Sequence, residues 1–306
     1  MPRGPRPSAP SPSRSVGCSR WASPGRSPLR PDDAGWRSRV ASGFTAYRAV
    51  LRSRVRAQQG YRVSFATDLF ATVLTGLAEL LEVYVIFHNT PRLGGLDFDA
   101  ALLVFALANL TFAAADLLVG HCDRLPTYVR EGRIDVFYLR PLSILGQLMT
   151  SEVSLRRLGR ISVAVVVLGI ALVRGEVAPT PTTVGMLALS IVCGTALMAG
   201  LFVAVAGLQF WLVDGREFAN AFTYGGAYAA QQSSLVFPDP VRIFFTFVVP
   251  AAFTAYLPTL VILGEPGGDF ADPALAWWLP AATAWVWGVA LLTWRHGVRH
   301  YQGAGG

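Results

Sequence analysis

Seven mostly apolar stretches, at 64–88, 99–119, 159–173, 183–213, 218–237, 241–263 and 275–294, constrain this chain more than anything else in it. A bilayer core of about 30 Å is crossed by about 20 apolar residues in helical form. Within hydrocarbon every backbone N–H and C=O must find its partner inside the segment, which leaves the helix as the only local solution for such runs. Hydrophobic residues make up 53% of the chain and charged residues 15%, against roughly a quarter charged in soluble domains. The expected fold class is therefore all-α, a polytopic membrane protein.

Charge sets the number of crossings. Five arginines lie between Arg48 and Arg62, ahead of the first apolar stretch. Arg124, Arg130, Arg133, Arg140, Arg156, Arg157 and Arg160 separate the second stretch from the third, and Arg216 follows the fourth. The alternate loops hold only Arg92 and Arg174. This asymmetry places the N-terminus in the cytoplasm, and the basic C-terminal RHGVRH places the other end there too. An even number of crossings is required, so six transmembrane helices are expected and 218–263 crosses once. Pro238 and Pro240 stand just ahead of 241–263, and Pro250 and Pro258 interrupt it. That stretch is read as a re-entrant helical hairpin before the last span, with 218–237 as the fifth crossing. The reverse assignment, with 218–237 at the inner surface, is the alternative.

Residues 1–40 are rich in Pro, Ser and Arg and carry no apolar core, so a disordered tail is expected ahead of a single membrane domain at 41–306. Within 44–63, Phe44, Tyr47, Val50, Leu51 and Val55 recur at helical spacing with Arg48, Arg52 and Arg56 on another face. That pattern describes an N-terminal amphipathic helix at the membrane interface. All 26 basic residues are arginine. With no lysine there is no P-loop and no Schiff-base chemistry in this chain. Cys18, Cys122 and Cys193 form no disulfide framework, and His88, His121, His296 and His300 form no metal motif. No metal site, no catalytic residue and no nucleic-acid partner is expected.

The polar stretch 131–145, EGRIDVFYLRPLSIL, is basic toward both ends and apolar in its middle, and Arg140-Pro141 stops it. Such an element lies on the membrane surface, accessible from the cytoplasm. Leu125, Val129, Ile134, Phe137 and Tyr138 can form an apolar helical face, and Gly132 permits a turn between two pieces. Asp135 could cap the helix or pair with Arg133 or Arg140. The stretch DRLPTYVREGRIDVFYLRPLSIL at 123–145 resembles the G-x-[IL]-D-x-x-[LY]-x-R-P loop of ABC-2-type exporter permeases. WLVDGREFANAFTYGG at 211–226 and PDPVRIFFTFVVPAAFTAYLPTLVILG at 238–264, with the terminal GVRHYQGAG, are similar to further segments of that family. The likeness covers roughly residues 45–304.

The resemblance implies a permease subunit that works as a dimer, either a homodimer or a heterodimer, with a separate ABC ATPase supplying the ATP and Mg chemistry. It implies a plasma-membrane location with both termini cytoplasmic. It also implies that the 131–145 loop couples to the ATPase, with Gly132, Asp135, Arg140 and Pro141 matching the family pattern. The substrate class stays open.

Glu79 and Glu82 lie three residues apart on one face of the first span, where an acidic group costs about 2.5–3.5 kcal/mol. They should face protein or water. Glu79, Glu82, Asn109 and Gln209 are therefore candidates for interhelix contacts or a pathway lining, with a Glu79–Asn109 hydrogen bond as the structural option. Asp116 and Asp214 read as interface anchors paired with arginine. Gly194, Ala199, Gly200 and Gly207 suit close helix packing, within the subunit or between subunits. Two other function classes fit less well: a proton-coupled secondary transporter using Glu79 and Glu82, and an intramembrane lipid-modifying enzyme using His121 and Asp123.

Overall fold

The computed structural model describes residues 62–139, 143–151, 157–212, 216–267 and 272–301. The N-terminal tail, residues 44–61 of the amphipathic stretch, Arg140, Pro141 and Asp214 lie outside the described residues. Among the described residues the structure is helical, and its one β-bridge joins Leu93 to Leu96 in a tight turn. The long helices are α1 (Arg62–Asn89) and α2 (Phe98–Val119), then α6 (Arg157–Arg174), α7 (Pro181–Leu208) and α11 (Leu279–His300). Between α2 and α6 lie three short helices, α3 (Leu125–Arg130), α4 (Arg133–Tyr138) and α5 (Ile144–Ser151). Between α7 and α11 lie α8 (Arg216–Ala230), α9 (Asp239–Ile243) and α10 (Tyr256–Leu263).

Local chemistry sets several of these boundaries. Asp97 caps α2 by accepting from the Ala100 N–H at 2.9 Å. Thr180 caps α7 by accepting from the Thr183 N–H at 3.2 Å, with Pro181 at the first helical position, where no donor is needed. Pro258 falls in the first turn of α10 and costs that helix no hydrogen bond for the same reason.

Among the described residues four helical segments are long and apolar enough to cross a bilayer, and a fifth is reached if the bent pair Asp239–Val248 and Ala251–Leu263 is taken as one span. The two halves of that pair meet at 67°, with Pro250 in the break. The helix within 218–237 ends at Ala230, so its 15 residues make about 22 Å of helix, short of a full hydrocarbon core. The 18-residue α6 carries Arg157, Arg160 and Arg174 at its two ends.

Alanine-rich α2 is the centre of the bundle and is buried along most of its length. Helix α1 sits at the margin and packs mainly on α6; Phe70, Leu74, Leu77, Leu81 and Tyr84 are exposed along it. The most extensive pairing joins α7 to α11. Three side chains of α11 donate to free lone pairs on α7 carbonyls. Thr283 Oγ1 reaches Cys193 O at 3.1 Å, Trp287 Nε1 reaches Ala196 O at 2.9 Å, and Thr293 Oγ1 reaches Ala204 O at 3.1 Å. At the end of this ladder the two backbones touch. A Cβ on Gly207 would lie 2.6 Å from the Thr293 carbonyl carbon and the Trp294 nitrogen, and one on Gly297 would lie 2.5 Å from the Gly207 oxygen. Gly194 packs on Thr111 of α2, and Gly200 on Val286 and Trp287 of α11. Packing inside the subunit thus accounts for these small residues.

Candidate functional site

Two groups of polar residues stand out from the apolar bundle. One ties helices together along the spans. The other is the cluster of short helices between α2 and α6, at the end of the bundle where α11 finishes.

Along the spans the carboxylates are paired. Glu79 Oε1 accepts from Arg160 Nη2 at 3.2 Å, and the Arg160 guanidinium also lies 5.7 Å over the Phe112 ring. The expected Glu79–Asn109 hydrogen bond is replaced by this ion pair, because α1 packs chiefly on α6 rather than on α2. Asn109 donates to the Phe105 carbonyl at 3.1 Å, one turn back in its own helix, and faces Gln231 Nε2 at 3.5 Å. Glu82 accepts from the Tyr228 hydroxyl of α8 at 2.9 Å. Gln209, at the C-terminal cap of α7, is buried with neither end of its side-chain amide hydrogen-bonded. Asp99 accepts from Arg174 Nε at 2.8 Å at the opposite end of α6.

A nearly buried ion pair holds α2 to α6 where the short helices begin. Arg157 Nε lies 3.0 Å from Asp116 Oδ2, with the two side chains 16% and 12% exposed. Arg157 Nη1 donates to the Asp116 carbonyl at 2.6 Å and lies 3.3 Å from His121 Nδ1. If that contact is a hydrogen bond, His121 accepts it, which puts the ring proton on Nε2. His121 and Cys122 are buried in this turn, and no group of three or more His, Cys, Asp or Glu among the described residues could hold a metal ion.

From here the chain folds as a helical hairpin, α3 against α4. Gly132 makes its turn with φ 65°, a left-handed conformation that glycine adopts without a Cβ penalty. Tyr128 and Phe137 pack across the hairpin with ring centroids 6.0 Å apart. Leu125 and Ile134 are fully buried beneath it. Arg133 is taken by Glu131 at 2.7 Å and lies over the Tyr128 ring. Gln147 of α5 donates to the Phe137 carbonyl at 3.0 Å, satisfying an acceptor at the end of α4. Two apolar residues stand open on the outer side of α4 and at its cap: Val136 is 47% exposed and Leu139 84%.

Of the two arginines suggested as partners of Asp135, Arg133 is paired with Glu131, and Arg140 lies outside the described residues. Asp135 Oδ1 accepts from the Tyr301 hydroxyl at 3.0 Å. Tyr301 stacks on Tyr138, with centroids 6.1 Å apart and planes within 8°, and meets the Phe210 ring edge-to-face at 6.1 Å. The Tyr138 hydroxyl donates to the Val298 carbonyl at 3.3 Å. Partial burial, and then the Asp135 carboxylate, push the Tyr138 phenol above its usual value of 10.0. Neither Tyr301 nor Arg157 stands out in the sequence. Arg157 is one of many loop arginines, and Tyr301 lies 166 positions from its partner.

An all-helical bundle with several apolar spans and an amphipathic hairpin at one end defines a polytopic membrane protein. Residues 73–305 match the family model described as ABC-2 family transporter protein, and the chain belongs to that family. Neither the curated proteins nor the solved structures gave a significant match. The protein is accordingly a transport component of the membrane, a permease.

Proposed function

We propose that this permease is the membrane subunit of an ATP-driven exporter, and that the α3–α4 hairpin with the following residues to 145 docks on a separate ABC ATPase. The observation that carries this reading is the outer side of α4. Val136 on α4 and Leu139 at its C-terminal cap are exposed, on a helix whose other side is anchored by the fully buried Ile134. Exposed apolar residues on a short, held helix suit insertion into a groove on a partner. Gly132 shapes the turn, Asp135 fixes the helix, and Arg140-Pro141 end the unit in the sequence pattern of the family. ATP and Mg belong to the partner, because this chain has no lysine for a P-loop.

The same reading counts six crossings, with α6 as the third, α8 together with the residues that follow it to 237 as the fifth, and the bent pair around Pro250 as a re-entrant hairpin. Both termini are then cytoplasmic in the plasma membrane. Two permeases form the pathway, as a homodimer or with a sister subunit, and exposed α1 faces lipid or that second permease. The pairing of Glu79 with Arg160 supports a structural role for that carboxylate over a proton relay.

The test is co-purification of the permease with a co-expressed ABC ATPase subunit, before and after Val136→Asp and Leu139→Asp. Loss of the complex with retained permease folding is expected. Undiminished assembly overturns the docking assignment.

A further inference from the structure

Helix α4 is six residues long, too short to hold itself in water. Its position is set by what it is attached to. Ile134 anchors it from below and Gln147 ties its last turn to α5. Further attachments reach across the molecule to the end of the last span. The Tyr301 hydroxyl holds Asp135, the Tyr301 ring lies flat on Tyr138, and the Tyr138 hydroxyl holds the Val298 carbonyl in the final turn of α11. On its other edge Tyr301 abuts Phe210, just past the end of α7. Tyr301 therefore sits where α4, α7 and α11 meet. The helices it joins to α4 are also the pair laced by the Thr283, Trp287 and Thr293 hydrogen bonds and by the Gly207–Gly297 contact.

We propose that Tyr301 is a positioning residue that locks α4 to the end of α11, so that load applied to α4 passes into the α7–α11 pair. This rests on the reading of 131–145 as the ATPase-docking loop. Asp135 then acts inward, on the permease itself, and Val136 and Leu139 act outward. A second route connects the hairpin to the bundle besides its covalent joins to α2 and α6. The α7–α11 pair moves as one piece, because its three side-chain hydrogen bonds and its backbone contact must all break for the helices to slide.

The experiment follows amide hydrogen exchange in the full chain in lipid nanodiscs, with and without the partner ATPase held in its ATP state. Tyr301→Phe removes one hydroxyl and keeps the stacked ring, and Tyr301→Leu removes both. In the permease alone, Tyr301→Phe should speed exchange at 133–139 about fivefold, the factor expected for one exposed hydrogen bond to a carboxylate, and leave 279–294 unchanged. Tyr301→Leu should speed it further. In the complex, ATP should alter exchange at both 133–139 and 295–301 in the parent protein, and only at 133–139 in the variants.

Unmoved exchange at 133–139 in both variants overturns the lock. So does a general rise across all helices, which marks a merely structural role. An ATP response at 295–301 that survives Tyr301→Leu overturns the relay. If the ATPase leaves 133–139 unprotected in the parent protein, the docking reading fails and the relay with it, while the comparison without ATPase still decides the lock.

Discussion

Replacing Arg157 by Met should be among the most damaging single changes to this fold. The guanidinium is 3.0 Å from the Asp116 carboxylate, and both side chains are nearly buried. At an effective dielectric of about 20 the direct attraction is about 5–6 kcal/mol, much of it offset by the cost of removing both charges from water. The intact pair is therefore worth little net. Removal of one member is another matter. Arg157→Met leaves Asp116 charged and buried, and also removes the donor to the Asp116 carbonyl and the group facing His121. A loss of about 3–5 kcal/mol is expected for breaking such a pair from one side. The double variant Asp116→Asn with Arg157→Met removes both charges and should recover most of it, leaving about 1 kcal/mol. The assay is reversible unfolding in mixed micelles of increasing denaturing detergent, run as a double-mutant cycle. Single variants that each cost under about 1 kcal/mol and add in the double variant would refute the argument.

Three further outcomes are expected. Glu79→Gln should destabilise by about 1–2 kcal/mol by leaving Arg160 without its carboxylate, and Glu79→Gln with Arg160→Met should be milder; equal losses would contradict the pairing. Gly207→Ala should cost about 3 kcal/mol or more, because the added methyl meets the Thr293–Trp294 backbone rather than a side chain that can swing away; unchanged thermal stability would show that α7 and α11 are further apart. The Tyr138 phenol is favoured in its neutral form in the fold, so its contribution is fully present below its usual value of 10.0 and fades as pH rises through the higher folded value. Ultraviolet difference titration of the parent protein against Tyr138→Phe should put the midpoint above 10.0, and a midpoint below it would refute the assignment.

What the sequence reveals here depends on how local the signal is. The caps at Asp97 and Thr180-Pro181, and the helical runs of α1, α2, α7 and α11, follow from residues within a few positions of one another. Asp116 is legible as an anchor awaiting an arginine, since a carboxylate near a helix end in an arginine-rich loop has few alternatives. Which arginine it takes depends on how α6 leans on α2. Glu79 shows the limit more clearly. Matching depths in consecutive spans points to Asn109, whereas the lateral order of the helices puts α6 beside α1 and delivers Arg160. The extent of α8 was also hidden: Phe218 to Phe237 is apolar enough to suggest a span, yet Gln231-Gln232-Ser233 breaks the helix after Ala230. Asp135 was legible as a residue that shapes the loop, but its partner Tyr301 lies near the far end of the chain, beyond any periodicity or motif.

The Glu79–Arg160 pair also has a consequence in time. Its members are 81 residues apart, and a ribosome adds about 5–20 residues per second, so the carboxylate exists for roughly 4–16 s before its guanidinium is made. Through that interval α1 carries two acids whose partners, Arg160 and Tyr228, are still unsynthesised. It must wait beside the insertion machinery or in some other protein-lined shelter, since bare lipid would charge it the full cost of those acids. Helix α1 is thus among the last of the described helices to settle, and the arrival of α6 and then of α8 sets the moment of its release.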